Sequence, residues 1–412
     1  MKDSLRVAMT GSPRTAHLPW DEARTLALSE GAALAPRLES DVVGIGDAAG
    51  RTLAHDLFAL TALPGSSASA MDGWVVTGEG PWAVGEPLRA GDRAPRVALE
   101  RGQARAIATG APVPPGATAV VRSEDGIARF SGGPVVLHLR PGVESPRPGR
   151  DIRAAGEEAR EGEPILRAGT VLTAPRLALA AVAGFDEVTV AGSPTVDLVL
   201  FGDEIRTSGV PTDGGIRDAF LPSLPSAITG AGGRHAATRH GRDNLDATVA
   251  ALEATTAPLV VSTGGTARGP ADFARSALDT LGARIVCDGV AMRPGHPVIL
   301  ARLADGRAFL GLPGNPLAAM IAYASLGVPL LDGMMGRPLS RPRLLPLAVD
   351  IANPSRSTRL VPCTLGDDGA ATPAPWQGSA MLRGLAAADV VVVVPAGGAT
   401  RGTAIRTLPL PW

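Results

Sequence analysis

The sequence predicts a mixed α/β plus β fold: a three-layer α/β/α domain, a helical domain, a small inserted β domain and a C-terminal β domain. Strand-like and helix-like segments alternate from about residue 193 to 337, the pattern of a largely parallel sheet covered on both faces. On either side the text changes to brief β-prone pieces between turns. The 51 glycines and 37 prolines are interspersed with apolar strands and helices throughout, so they mark tight loops and not disorder. At 412 residues the chain exceeds a single core, and two to four domains are expected.

The elements follow in order. Residues 14–63 and 149–192 read as a helical and linker domain. It contains Trp20-Asp-Glu-Ala-Arg-Thr-Leu-Ala-Leu with an acidic first turn, a second helical pattern from Ile45 to Ala54, and Ala174–Gly184. Residues 64–148 read as an inserted β-rich domain, with pieces such as Ala104–Ala108 and Val135–Leu139. Within 193–337 the strands are Thr195–Leu200, Pro258–Ser262, Ala283–Cys287 and Ala308–Leu312, with helices such as Leu245–Glu253 between them. Residues 338–412 return to short strands and include Val390–Val394, which marks a terminal β domain.

Composition excludes several classes. A formal charge of −1, with seven Phe, five Trp and one Tyr, leaves neither a basic platform nor stacking surface for nucleic acid. The N-terminus is polar and lacks the apolar core of a signal peptide, and no apolar run approaches the roughly 20 residues that span a bilayer. Cys287 and Cys363 form no metal-ligand spacing and read as buried thiols in a reduced cytoplasm. No lysine follows Lys2, so oxyanion chemistry here rests on Arg, His or backbone amides.

Gly311-Leu-Pro-Gly-Asn-Pro316 is an apolar run broken by a turn that opens a helix. Pro313 and Gly314 shape the turn, Gly314 with freedom for a positive φ. Asn315 is a good N-cap, and Pro316 suits the first helical position. A helix N-terminus of this kind presents free N–H groups to an anion, phosphate above all. Ser262-Thr-Gly-Gly265 follows a buried strand, and its paired glycines allow close backbone approach to a ligand. Asp272, just beyond, serves either a site or a helix cap. Asp203 and Glu204 end a strand; they suit Mg²⁺ beside a phosphate, or equally cap the next segment or face water. Asp72-Gly73 reads first as a turn and Thr109-Gly110 as an ordinary loop. His296, between Gly295 and Pro297, is an exposed titratable group.

Order and spacing bring these fragments together. Met71-Asp-Gly, Thr109-Gly-Ala-Pro-Val-Pro, Gly156-Glu-Glu, Gly202-Asp-Glu, Thr263-Gly-Gly, Asp272, Arg293-Pro-Gly-His-Pro, Gly311-Leu-Pro-Gly-Asn-Pro and Gln377-Gly-Ser occur in one series. That series resembles the molybdopterin molybdenumtransferase family from about Trp20 to Pro409. The resemblance implies a homodimer whose α/β part is a molybdopterin-binding domain. The implied reaction takes adenylylated molybdopterin, molybdate and Mg²⁺, cleaves the pyrophosphate bond, and yields AMP and molybdenum-loaded pterin. It implies catalytic roles for Asp72, Thr109, Glu204, Asp243 and Asp272, with Glu204 and Asp272 on the metal. It implies substrate-binding roles for Thr263, Gly264, Gly265, Arg293, Gly295, His296, Pro313, Gly314, Asn315, Pro316 and Ser379. A molybdopterin adenylyltransferase is the implied partner enzyme.

The chain departs from the family pattern at several points. Phe201 stands where Thr is usual, and Asp218-Ala-Phe220 replaces Asp-Ser/Thr-Asn. Ala267 and Pro270 replace a hydroxyl and a carboxylate. Arg293 and His296 replace two lysines, Ala318 replaces a serine, and Pro362 falls where an arginine is expected, with Arg356 and Arg359 near. Two alternatives follow: a paralogue that binds nucleotide or pterin as carrier or regulator without inserting metal, or a different nucleotide pyrophosphate hydrolase on the same α/β domain.

Overall fold

The structure, a computed structural model, describes residues 17–93, 95–130, 132–212, 214–267 and 273–412. The chain divides into two compact units. One comprises the residues up to Asp41, Gly50–Ala54 and Val190–Trp412; the other comprises Val42–Ala49 and His55–Thr189.

The first unit is built on a six-stranded sheet in the order Arg234–Gly241, Thr195–Phe201, Leu259–Thr263, Ala308–Leu312, Ile299–Arg302, Arg284–Asp288. The first four strands run parallel, and the last two turn antiparallel at one edge. The central strands are continuous apolar runs because both faces are covered. Val196, Leu198, Leu200, Val261 and Leu310 pack on one side with the helices Trp20–Ala32, Leu224–Gly230 and Pro316–Ala322. Val199, Phe201, Val260 and Phe309 pack on the other, against Leu245–Glu253 and Ala274–Thr280. This is the expected three-layer arrangement, and it places the carboxyl ends of four parallel strands along one rim.

The helix that opens at Pro316 continues to Met334 through a π-helical stretch, Tyr323–Gly327. Among the described residues it is the one helix long and apolar enough to cross a membrane, and 94% of it is buried inside the fold as a core helix. Two glycines bring it against Trp20–Ala32. A Cβ on Gly31 would strike the Leu330 carbonyl, and one on Gly333 the Leu28 carbonyl. Trp20 Nε1 donates to Ser325 Oγ at 3.0 Å across the same contact.

A second sheet in this unit runs Leu18–Pro19, Val290–Arg293, Thr358–Leu365, Val390–Val394, Ala404–Leu408, Leu344–Pro346, with Ala371–Pro373 beside Thr358–Leu365. The C-terminal strands are thus joined in parallel by Val290–Arg293 from the α/β segment. Cys287 and Cys363 are free and buried, and burial pushes their thiols up to about 11 and about 12.

The other unit carries a six-stranded sheet in the order Ala119–Arg122, Gly73–Val76, Gln103–Ile107, Trp82–Leu88, Val136–Leu139, Gly126–Arg129, together with the helix Ala174–Val182. The helix expected from Ile45 to Ala54 does not form. Only a 3₁₀ turn, Ile45–Asp47, is present, and Leu53 is extended and bridges Val190. Gly46 and Gly50 weaken helical propensity there, and pairing with the chain returning at Val190 takes its place.

Candidate functional site

Two cavities lie side by side in the first unit, at the carboxyl rim of the parallel strands. The first, about 520 Å³, has Glu204, Asp218, Asp243 and Arg217 on its wall, together with Gly264, Gly265, Gly314 and Pro316. The second, about 550 Å³, is lined by Arg293, Gly295, His296, Arg359, Gln377 and Ser379 among others. Pro297, Pro313 and Asn315 belong to both walls.

In the first cavity the strand Thr195–Phe201 ends and the chain turns through Gly202 to present Glu204. Asp243 follows the neighbouring strand, and its carboxylate accepts from the Asp203 N–H at 3.1 Å, which ties the two acidic turns together. Gly264 and Gly265 have φ of 83° and 66°. A Cβ on Gly264 would run into the Phe201 carbonyl, so the loop requires glycine there. Gly314 differs from expectation: its φ is not positive, and a Cβ there would make only ordinary contact with Gly264. Thr263 is also corrected. It is fully buried with its Oγ1 unpartnered and lines neither cavity, because the last strand residue faces inward and the wall begins at Gly264.

Asp218 was missed as a wall residue. Its Oδ1 accepts from the Phe220 and Leu221 N–H groups at 2.8 and 3.2 Å. Its Oδ2 is buried without a hydrogen bond, 3.7 Å from His240 Nε2. Phe201 and Phe220, where polar residues were expected, pack into the core on opposite faces of the sheet and also line the first cavity.

The second cavity is cationic. Arg293 and Arg359 are register partners on adjacent parallel strands. The Arg359 guanidinium donates to the Ala352 carbonyl at 2.7 Å and to Gln377 Oε1 at 3.2 Å. Pro362 is buried opposite Val391, so the C-terminal guanidinium reaches this wall from position 359. Ser379 is fixed twice, by its carbonyl accepting from the Ala318 N–H at 3.0 Å and by Asn315 Nδ2 donating to its Oγ at 3.2 Å. Asn315 therefore sits at the N-cap position without capping through its side chain, which is committed to Ser379. Trp376, just before, has a φ of 58° and lies 3.8 Å beneath the Arg383 guanidinium. The His296 ring meets His17 edge-on at 5.9 Å. Burial, then the charges of His17 and Arg293, hold it below the usual histidine range.

Asp72 and Thr109 meet in the other unit. Asp72 Oδ1 accepts from the Thr109 N–H at 2.6 Å and from its Oγ1 at 2.9 Å. Those bonds hold the exposed Asp72 carboxyl below its ordinary range, so it is ionised at neutral pH. The loop is braced behind: Asp151, at a φ of 57°, pairs with Arg122 at 2.9 and 3.0 Å, and its carbonyl accepts from the Ala70 N–H. Asp272 lies outside the described residues.

Three family models match the chain in succession: the MoeA N-terminal region (domain I and II) over residues 18–184, a probable molybdopterin binding domain over 198–333, and the MoeA C-terminal region (domain IV) over 345–410. A molybdopterin molybdenumtransferase from Synechococcus elongatus is 31% identical over 397 residues, covering 92% of this chain and 96% of its own. The chain belongs to the molybdopterin molybdenumtransferase family. It is thereby placed among the transferases of molybdenum cofactor synthesis. A molybdopterin molybdenumtransferase 2 from Mycobacterium tuberculosis is 32% identical over 314 residues, 72% of this chain and 75% of its own. The fold agrees: the crystal structure of a molybdopterin biosynthesis MoeA protein from Pyrococcus horikoshii superposes with a TM-score of 0.73 at 26% identity, covering 95% of this chain and 99% of that one.

Proposed function

We propose that this chain acts on adenylylated molybdopterin, cleaving its pyrophosphate bond and releasing AMP as molybdate is inserted. The observation that supports this reading is the pairing of the two cavities, one lined by carboxylates and glycine loops, the other by arginines, with Pro297, Pro313 and Asn315 shared. A diphosphate fits the first, where backbone can approach closely at Gly264 and Gly265. An oxyanion fits the second, where Arg293, Arg359 and Ser379 offer forked and hydroxyl donors.

The donor chemistry of the first cavity fits Mg²⁺, which takes one or two carboxylates together with substrate phosphates. Among the described residues Glu204 and Asp243 offer carboxylates there; Asp272, which the resemblance puts on the metal with Glu204, lies outside the described residues. Among the described residues no group of three or more His, Cys, Asp or Glu clusters for a metal. When bound, the ion would neutralise phosphate charge as the bond breaks. The chain's own residues orient the substrate: Glu204 and Asp243 are held by linked turns, and Asn315 holds Ser379 toward the oxyanion. Asp72, ionised and fixed by Thr109, is the carboxylate of the β-rich unit in this reading.

We further propose a cytoplasmic homodimer that receives its substrate from a molybdopterin adenylyltransferase and binds neither nucleic acid nor membrane. A dimer of this kind buries more than about 1,000 Å², and light scattering at micromolar concentration checks it; a monomeric mass counts against it. The reaction is tested by incubating the purified chain with adenylylated molybdopterin, Mg²⁺ and molybdate. Molybdate-dependent AMP release is expected. Binding of the nucleotide without AMP release would sink the transferase reading and leave a carrier.

A further inference from the structure

We propose that Arg217 grips the substrate's phosphates in the carboxylate-lined cavity. This rests on the reading given under Proposed function. The wall of that cavity carries three carboxylates, Glu204, Asp218 and Asp243, and among the described residues Arg217 is the one cationic side chain facing them. A multiply charged phosphate ester entering such a cavity is repelled unless cations offset the acids. Glu204 and Asp243 would hold Mg²⁺, which would offset part of that charge, and Arg217 adds a positive group of the protein's own.

Arg217 is available for that role. The hydrogen bond its guanidinium makes is a long one, 3.5 Å, to the neutral Arg206 carbonyl, and its side chain is exposed. It has no acidic partner among the salt bridges of the described residues. It lies on a two-stranded parallel ribbon, Ile205–Arg206 beside Ile216–Arg217, in which Arg206 and Arg217 are register partners. Like charges side by side on neighbouring strands are unfavourable on their own, and an anion bound between ribbon and loops relieves them. The ribbon also couples the guanidinium to Glu204. The Glu204 carbonyl accepts from the Ile216 N–H at 2.9 Å, and the Arg206 carbonyl from the Asp218 N–H at 3.0 Å. Glu204, Arg217 and Asp218 are therefore held by one small unit that faces the glycine loops. A forked guanidinium can take two oxygens of one phosphate, which an ammonium cannot.

The test is steady-state AMP release with each substrate varied in turn. Arg217→Ala raises KM for adenylylated molybdopterin roughly ten- to a hundredfold, the loss of one charged hydrogen-bonding group, while KM for molybdate stays within about twofold. Arg217→Lys, which keeps the charge without the fork, recovers part of the loss. An unchanged KM for adenylylated molybdopterin in Arg217→Ala overturns the proposal. So does a parallel rise in the molybdate KM, which would mark a general collapse of the site. Should the wild-type chain release no AMP, calorimetric titration with AMP and Mg²⁺ reads the same contact: weaker binding by Arg217→Ala supports the proposal although the transferase reading fails, and equal binding overturns it.

Discussion

The two cavities differ in how they have diverged from the family pattern. The carboxylate-lined cavity keeps Glu204, Asp243, Gly264, Gly265 and Gly314 at their matching positions, and its departures, Phe201, Ala219, Phe220 and Ala267, put apolar side chains on the wall where the pattern has polar ones. In the arginine-lined cavity both lysines are exchanged, for Arg293 and His296, the serine at 318 is alanine, and the C-terminal guanidinium comes from Arg359 while Pro362 is buried in the strand. The contrast follows from what each wall supplies. A loop packed this tightly on a neighbouring strand end admits glycine alone, as the Phe201 carbonyl beside Gly264 shows. A positive charge at the end of a long side chain can reach one cavity from several backbone positions.

That contrast can be broken by substitution, starting in the carboxylate-lined cavity. Glu204→Gln is expected to lower kcat roughly 10²-fold or more with the fold intact, because an amide cannot supply the charge a divalent cation requires. Circular dichroism and AMP release check both halves of that statement, and a fully active variant would remove Glu204 from the reaction. In the arginine-lined cavity Arg359→Ala is expected to raise KM for molybdate about ten- to a hundredfold with little change in the KM for adenylylated molybdopterin. If Arg359→Ala leaves molybdate use intact, the guanidinium has been lost and not relocated. For the β-rich unit, Asp72→Asn keeps the bonds from Thr109 but loses the charge; a drop in kcat of roughly tenfold is expected in the same assay.

The smallest effect concerns His296. Its folded-state value lies below the ordinary 6.5, so the ring is neutral at pH 7 and gains charge only at lower pH. The sequence alone points to oxyanion use that strengthens from about pH 8 to 6; burial moves that gain toward the acid side. KM for molybdate should be flat between about pH 8 and 7 and improve only below about pH 6.5. His296→Lys should lower KM at about pH 8 and remove the acid-side gain. The same depression makes the folded chain lose stability as pH falls through about 6.5, since the unfolded chain takes up that proton more readily. A urea midpoint unchanged between about pH 7.5 and 5.5 in the wild-type chain, relative to His296→Gln, would contradict it.

Much of this was legible in the sequence, and the exceptions have physical causes. The alternation of apolar strands and helices from 193 to 337 indicated the layers, because strands buried on both faces leave long Val/Leu runs. The second helical pattern at Ile45 failed because local propensity there gave way to long-range pairing at Leu53. Arg359 was visible only as a neighbour of the expected position; its place beside Arg293 depends on the register of two strands more than sixty residues apart in sequence. Arg217 carried no motif, and its signal, a cation on a wall with three acids, exists only once the cavity is assembled. Thr263 fitted the motif but faces the core, since side chains alternate along a strand and its last residue happens to point inward.

The contact at Gly31 and Gly333 bears on where this chain can be cut. By sequence family, Trp20–Ala32 belongs to the N-terminal region that ends at residue 184. By packing it belongs with the α/β unit, where Trp20, Ala23 and Ala27 complete the core against the Pro316–Met334 helix. A gene fragment beginning near residue 190 would express both cavities yet leave the Leu330 and Met334 face of that helix in water. The smallest autonomous piece carrying the two cavities is therefore discontinuous, and a protease nick between the units should leave the N-terminal helix behind, still attached to the larger fragment.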